Sequence, residues 1–192
     1  YQYQNLVGLT SSAVKTGQLL IEINTYANPY TYINREISSF LSDYLIAINR
    51  NDLIEQYDLN PFSIKVLDIR RTLIEKMVSL LRFSFETDVV KALSTKIRHF
   101  YDLYYLANDK ECAEYLQSSE FKKDLSELLI HDQQEFDIPE GWQTKTIKES
   151  PLFKEFSTLW TILSVVCQNE LTPLAFSDIP DKKLIAESFM KY

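Results

Sequence analysis

KIRHFYDLYYLAND, residues 96–109, places a histidine after an arginine and three residues before an aspartate, within an aromatic run. On a helix, Arg98 and Asp102 are four residues apart and His99 and Asp102 are three apart, so the three side chains lie along one edge. The apolar residues around them recur at helical spacing and predict a long helix over residues 89–107. The stretch therefore indicates a helix that carries polar groups beside an aromatic face.

Asp102 has two interpretations that the stretch alone leaves open. One is an ion pair on a helix surface, which contributes well under about 1 kcal/mol. The other is a half-buried functional carboxylate, because aromatic and apolar residues flank it on both sides and polar groups in such settings are often networked. In that case Asp102 orients Arg98 or His99, holds a metal ion or accepts a proton.

Outward from this helix, the sequence predicts few strands and many helices. Only three glycines and six prolines are present, so few tight turns are encoded. Strands are predicted at residues 18–25 (QLLIEINT) and 62–67 (FSIKVL), and loops at residues 26–32 and 136–148. Besides residues 89–107, helices are predicted at residues 36–49, from 72 onward, 150–169 and 181–190, with one or two helical turns at residues 52–57 and one or two shorter helices at residues 112–129.

The predicted fold class is α+β and mostly α, with a small strand region followed by a helical bundle. We expect two domains, residues 1–69 and residues 70–192. A hydrophobic fraction of 45% in 192 residues is ample for a core. Glu22 lies in the middle of the first predicted strand and faces solvent, a cation or a metal ion, because an unpaired buried carboxylate is costly.

The overall charge and the cysteines exclude several classes of protein. A net charge of −7 disfavours non-specific nucleic-acid binding through a broad basic surface. No apolar run reaches the roughly 18 residues that a membrane-spanning helix needs, so no membrane association is expected. Cys112 and Cys167 match no metal spacing and fit a reducing, cytoplasmic setting. The phosphate-binding loop, the glycine-rich dinucleotide motif and the G-x-S-x-G motif are all absent.

The stretch RRTLIEK gathers positive charge near a predicted helix start. Arg70, Arg71 and Lys76 supply three positive charges, and helix N-termini favour anions. The stretch therefore suits a phosphate group as a ligand. A solvated basic turn is the alternative. Thr72 followed by Glu75 predicts a capping box, which explains those two residues structurally.

Taken together, LLIEIN, then T-x-x-E-K, then R-H-x-x-D-L resemble the AbiEii/AbiGii family of nucleotidyltransferase toxins over roughly residues 17–107. The resemblance implies a polymerase-β-like nucleotidyltransferase domain, here only part of its sheet, joined to a helical C-terminal domain. It implies transfer of a nucleotide from an NTP to an acceptor such as tRNA, with Mg²⁺, and a partner antitoxin.

The resemblance also implies roles for single residues. Glu22 is similar to a third metal-binding carboxylate, and Lys76 to the family's lysine near the nucleotide phosphates. Asp102 is similar to the acid of the final motif. Arg98 and His99 lie beside it and are expected to bind the nucleotide. Arg70 and Arg71, which the basic stretch at the predicted helix start singles out, are expected to bind phosphate.

The family's opening glycine-rich turn and its Asp-x-Asp pair do not occur in this sequence. The acid pairs Glu86–Asp88 and Asp109–Glu111 both lie between predicted helices. We therefore expect the catalytic half to precede Tyr1, this chain to be inactive and to hold no cofactor alone, and exposed strand edges to favour a homodimer.

The alternative to a transferase is a non-enzymatic α+β protein-binding module. Tyrosine is enriched at protein interfaces, and Tyr26, Tyr30 and Tyr32 would suit one. In that case Glu22, Lys76 and Asp102 are expected at scattered positions, whereas the transferase hypothesis expects them in one cleft.

Overall fold

The computed structural model describes residues 32–173, 175 and 178–191. These residues form two compact units, residues 32–71 and residues 72–191. The predicted strand at residues 18–25, with Glu22, lies outside the described residues, and so do Tyr26 and Tyr30. The division into domains at residues 69 and 70 stays a prediction.

The first unit is an antiparallel hairpin whose two strands are connected through two short helices. Tyr32 pairs with Leu67 at one end of the ladder and Ile37 pairs with Phe62 at the other. Its elements in chain order are β1 (Tyr32–Ile37), α1 (Phe40–Ala47), α2 (Asn51–Gln56) and β2 (Phe62–Leu67).

The hairpin has one largely apolar face, which also carries Arg35 opposite Ile64, and one largely polar face. Because side chains alternate along a strand, Ile33 and Ile37 share a face with Phe62, Ile64 and Val66. None of these five side chains is fully buried, and Phe62 is 56% exposed. The apolar face of the hairpin is therefore only partly covered.

The structure confirms two predictions in this unit and corrects two. The strand at residues 62–67 is confirmed with its exact bounds, and the short helix near residues 52–57 is present as α2. β1 was missed, because its polar residues hide the alternation and pairing with β2 decides its structure. The helix predicted from residue 36 begins at Phe40, where the Ser39 hydroxyl accepts a hydrogen bond from the Ser42 N–H at 3.0 Å.

The second unit is helical among its described residues. α3 starts within the first unit and continues into the second. The elements are α3 (Ile69–Phe83), α4 (Val89–Ser94), α5 (Ile97–Asn108), α6 (Lys110–Leu116), α7 (Ser119–Glu135), the 3₁₀ turns Trp142–Thr144 and Ile147–Glu149, α8 (Pro151–Lys154), α9 (Phe156–Leu171) and α10 (Lys182–Phe189).

The core of the helical unit is built around Phe100 of α5, which is fully buried. Its ring lies 5.3 Å from the ring of Trp160 and 5.0 Å from that of Phe189, centroid to centroid. Phe156 completes the cluster at 6.3 Å from Phe100. α5 is thereby packed against α9 and α10, which fixes the position of the polar residues on its other side.

Two helices that the sequence predicts as continuous are interrupted. The helix predicted at residues 89–107 breaks at Thr95 and Lys96, where the Ser94 and Thr95 hydroxyls donate to the carbonyls of Val90 and Ala92. Such side-chain bonds compete with the helix ladder. The helix predicted at residues 150–169 breaks at Glu155.

The N-terminus of α3 also differs from its prediction. The helix begins at Ile69, and the Asp68 carboxylate accepts a hydrogen bond from the Arg70 N–H at 2.8 Å. Thr72 and Glu75 therefore lie inside the helix, and the predicted capping box at this terminus is wrong. The predicted cap at Ser150 is confirmed, since its hydroxyl accepts from the Leu152 N–H with Pro151 at the first helical position.

The predicted loop at residues 136–148 contributes a side chain to the core. Gly141 adopts φ 77°, a left-handed conformation that favours glycine, and Trp142 after it is fully buried. The Trp142 Nε1–H donates to Asp132 of α7 at 3.1 Å. The fold prediction of a mostly helical α+β chain, with a small strand region before the helices, is confirmed.

Candidate active site

Lys76 of α3 and Asp102 of α5 meet across the helical unit. The Lys76 Nζ lies 2.7 Å from the Asp102 Oδ2, which is a charge-assisted hydrogen bond. The two side chains are 21% and 37% exposed, so a ligand can reach the pair while the pair keeps partial shielding from water. The arrangement depends on packing, because buried Leu73, Val78 and Phe100 hold the two helices in the common core.

His99 lies one turn before Asp102 and its charge is controlled by its surroundings. Burial lowers the pKa of the ring most, and the positive charges of Lys76 and Lys96 lower it more than the Asp102 carboxylate raises it. Together these effects place the pKa at about 4. The ring is therefore neutral at physiological pH. Its Nδ1 atom is buried and, among the described residues, has no hydrogen-bond partner. A neutral imidazole with an unused nitrogen can bond to a ligand.

The solvent side of α5 carries Arg98, Tyr101, Asp102 and Tyr105, which recur at three- and four-residue spacing and so form one stripe. Arg98 and Tyr105 are exposed, and Tyr101 and Asp102 are half-buried. We call these four residues the α5 stripe. Arg98 and Asp102 were predicted from the sequence as site residues, whereas the two tyrosines and Lys96 were not. The helical spacing alone could have grouped the tyrosines with Asp102.

The remaining predicted site residues have other surroundings. Arg70 forms a bidentate pair with Asp68, with contacts of 2.7 and 3.1 Å, and this pairing holds the pKa of the Asp68 carboxyl below its usual value. Arg71 is half-buried in the first turn of α3. Glu22 lies outside the described residues, so its expected convergence with Lys76 and Asp102 stays a prediction.

The described residues do not form a metal site. No group of three or more histidine, cysteine, aspartate or glutamate side chains among them could hold a metal ion. In each of the two acid pairs noted in the sequence, one aspartate is a helix cap. Asp88 caps α4 and Asp109 caps α6, and each carboxylate accepts a hydrogen bond from a backbone N–H at 3.0 Å. Asp102 thus brings one carboxylate to the site.

Two other polar or concave features of the helical unit lie apart from these residues. Arg82 Nε is 3.1 Å from the Asp132 Oδ2, although its N–H direction does not make a hydrogen bond, and the guanidinium lies over the Phe136 ring. The contact between Arg82 and Asp132 stabilises the packing of α3 against α7. A cavity of about 670 Å³ is lined mainly by apolar residues such as Met77 and Phe153, and none of Lys76, His99 or Asp102 lines it.

Within residues 32–173, 175 and 178–191, no helix has the length and apolar character to cross a lipid bilayer. The side chains of Cys112 and Cys167 are both buried, and neither forms a disulfide within the part of the chain that the structure describes. Burial raises the pKa of the Cys167 thiol, so it is a poor nucleophile. Neither thiol therefore competes with the Lys76–Asp102 pair as a reactive centre.

Comparison with known proteins supplies one match. The sequence profile of a family described as "Nucleotidyl transferase AbiEii toxin, Type IV TA system" matches residues 2–162. This range is wider than the residues 17–107 on which the resemblance rested. The comparisons with curated proteins and with solved structures found no significant match.

Proposed function

This chain belongs to the AbiEii family of nucleotidyltransferase toxins, and we propose that Lys76 and Asp102 form part of a site that transfers a nucleotide from an NTP to an acceptor such as tRNA. Membership in a type IV toxin–antitoxin family implies an antitoxin partner. The contact of 2.7 Å between Lys76 and Asp102, two residues 26 positions apart, is the observation that supports this proposal most directly.

The proposed chemistry divides between the two side chains. In nucleotide transfer, the acceptor hydroxyl oxygen bonds to the α-phosphorus and pyrophosphate leaves. The ammonium group of Lys76 offsets negative charge on the phosphates, as lysines do at many phosphate sites. The Asp102 carboxylate accepts the proton that the attacking hydroxyl loses. When a triphosphate binds, it competes with Asp102 for Lys76, so the ion pair opens as the site fills.

The neighbouring residues have supporting roles in this proposal. The exposed Arg98 guanidinium binds phosphate, and the neutral, half-buried His99 ring is proposed as a further nucleotide-binding residue. Arg70 and Arg71 are proposed as further phosphate-binding residues. Glu22 is proposed as a metal-binding carboxylate.

Nucleotidyltransferases of this kind typically use NTP and Mg²⁺. The carboxylates of the described residues do not suffice to hold the ion, and residues 1–192 contain no Asp-x-Asp pair. We therefore propose that transfer requires carboxylates from outside these 192 residues, and that residues 1–192 alone bind no Mg²⁺ and are inactive. Among the described residues, no further strand pairs with the outer edge of β1 or β2, which supports the further proposal of a homodimer.

A non-enzymatic protein-binding module is the second candidate. It is favoured by the exposed apolar side chains of the first unit, where Phe40 is 90% and Tyr44 59% exposed. Under this proposal the Lys76–Asp102 pair only stabilises the helical unit, and its removal changes stability but no reaction.

The experiment that separates the two candidates is a transfer assay with the full-length natural protein. Radiolabelled NTPs are offered with total tRNA, and Lys76→Met and Asp102→Asn are compared with wild type. We expect losses of about 100-fold or more, which is typical when a general base or a preorganised charge is removed. Lys123→Met is the matched control, since Lys123 forms an exposed pair with Glu127 at 3.8 Å.

Full transfer by a folded Lys76→Met protein would contradict the assignment of Lys76. Absence of transfer from any NTP by the natural protein would favour the binding module. Transfer by residues 1–192 alone would contradict the proposed need for additional carboxylates.

A further inference from the structure

We propose that the α5 stripe is a nucleobase-binding surface, on which a base stacks against Tyr105 and Tyr101 while the attached phosphates lie toward Arg98 and Lys76. This inference rests on the proposed function and extends it from the phosphates to the base.

The geometry of the two rings supports stacking. Their centroids are 4.9 Å apart and their planes are inclined at 62°, so each presents a different surface to a ligand. Tyr105 is 46% exposed, which leaves about half of a large planar side chain in solvent. Every base has a π-face, so an exposed ring of this kind accepts bases without requiring one particular sequence.

The rings are held in place before a ligand arrives. Tyr104 lies edge-on to Tyr105 at 5.2 Å and 86°, and Tyr101 and Tyr104 both pack against the core. Ring surfaces fixed in this way lose little conformational entropy on binding.

Position and charge specify the kind of ligand. Tyr105 lies three residues after Asp102 and Arg98 lies four before it, so the ring and the guanidinium flank the ion pair along one face. With a net charge of −7, the chain has no excess of cations for a long phosphate backbone. One exposed arginine and two rings suit a single nucleotide or the unpaired end of a strand, whose bases are free to stack.

The base could belong to the NTP or to the terminal nucleotide of an RNA acceptor, and two probes distinguish these sources. One is 2-aminopurine riboside triphosphate. The other is a short single-stranded RNA with 2-aminopurine at its 3′ end. The fluorescence of 2-aminopurine falls when the base stacks, so titration with the full-length natural protein gives both stacking and affinity.

We expect wild type to quench at least one probe and Tyr105→Ala to weaken its binding by about 5- to 150-fold, the range for loss of one base–aromatic stack. Tyr105→Phe keeps the ring and should bind within about 3-fold of wild type. Phe153→Ala removes another exposed ring, 63% exposed on α8, and should bind as wild type does. Quenching of the triphosphate alone assigns the base to the NTP, and quenching of the RNA alone assigns it to the acceptor.

The proposal is overturned if wild type quenches neither probe, or if Tyr105→Ala binds and quenches as wild type does. The transfer assay separates this failure from failure of the proposed function. If Lys76→Met abolishes transfer while Tyr105→Ala keeps full binding, the site is a transferase site without a stacking surface. If no transfer occurs at all, the proposed function itself is wrong.

Discussion

The two units of this chain bury their apolar side chains to very different extents. In residues 32–71, Leu45 and Ile54 are buried, while large side chains such as Phe40 and Phe62 are mostly exposed. In residues 72–191, an extensive core surrounds Phe100. A two-stranded hairpin is at best marginally stable by itself, whereas a helical unit with its own core can fold and hold side chains rigidly. Lys76, His99 and Asp102 all lie in the unit that has such a core.

The largest expected effect tests this contrast with the same substitution in each unit. Phe100→Ala should lower the free energy of unfolding by about 3–5 kcal/mol, because it leaves a cavity among packed aromatic rings. Phe62→Ala should cost less than about 1 kcal/mol, since that side chain is already 56% exposed. Urea unfolding can be followed by tryptophan fluorescence, because both tryptophans, Trp142 and Trp160, are buried in the helical unit.

If Phe62→Ala shifted the tryptophan-monitored midpoint as far as Phe100→Ala does, the contrast would fail. The apolar face of the hairpin would then be part of a common core. Equal circular-dichroism spectra of the folded variants are the control for this comparison.

The sequence was informative where a local pattern decides structure. The alternation of FSIKVL gave β2 its exact bounds, and Ser150 followed by Pro151 gave the start of α8. The local pattern did not predict β1, because β1 is a strand only through its pairing with β2. It also failed where hydroxyls bond back to the helix, as at Ser94 and Thr95, which end α4.

The candidate site shows the same limit. Residue spacing grouped Arg98, His99 and Asp102 on one helix edge, but spacing cannot predict that Lys76 meets Asp102, because that contact depends on how α3 and α5 pack. The pairing of Lys76 with Asp102 as site residues came from the family resemblance. The neutral state of His99 could not be predicted either, since its cause is burial together with the charges of Lys76 and Lys96.

The stability of the helical unit should depend on pH through His99, which the packed core of that unit keeps neutral. Its pKa is about 4 in the folded chain and 6.5 ordinarily, so between these values the unfolded chain binds more protons. The contribution of the neutral His99 ring to the free energy of unfolding should be fully present above pH 6.5. It should be lost as the pH drops toward 4. Because the ring is only partly buried, we expect a loss of about 1–2 kcal/mol. The measurement is urea unfolding at several pH values for wild type and His99→Gln.

The difference between wild type and His99→Gln isolates this contribution, because the buried Asp132 has a raised pKa and acts with the opposite sign near the same range. Lys96→Met is a second check: it removes a charge that lowers the pKa of His99, so the loss should shrink. Identical pH dependence of wild type and His99→Gln would mean that His99 is not held neutral. Asp68, in the first unit, has a lowered pKa, so its contribution is lost as the pH falls through and below about 3.8, mostly outside this window.

The smallest expected effect compares two helix caps, one in each unit. The Ser118 hydroxyl accepts from the Phe121 N–H at 3.1 Å and caps α7, and the Ser39 hydroxyl caps α1 with a bond of 3.0 Å. Each substitution to alanine removes a similar bond, worth about 1 kcal/mol. Ser118→Ala should therefore lower the tryptophan-monitored free energy of unfolding by about that amount. Ser39→Ala should leave it unchanged, because α1 belongs to a different compact unit from the one that contains both tryptophans. Equal shifts from the two variants would show that the units unfold as one, and the helical unit would then owe part of its stability to the hairpin.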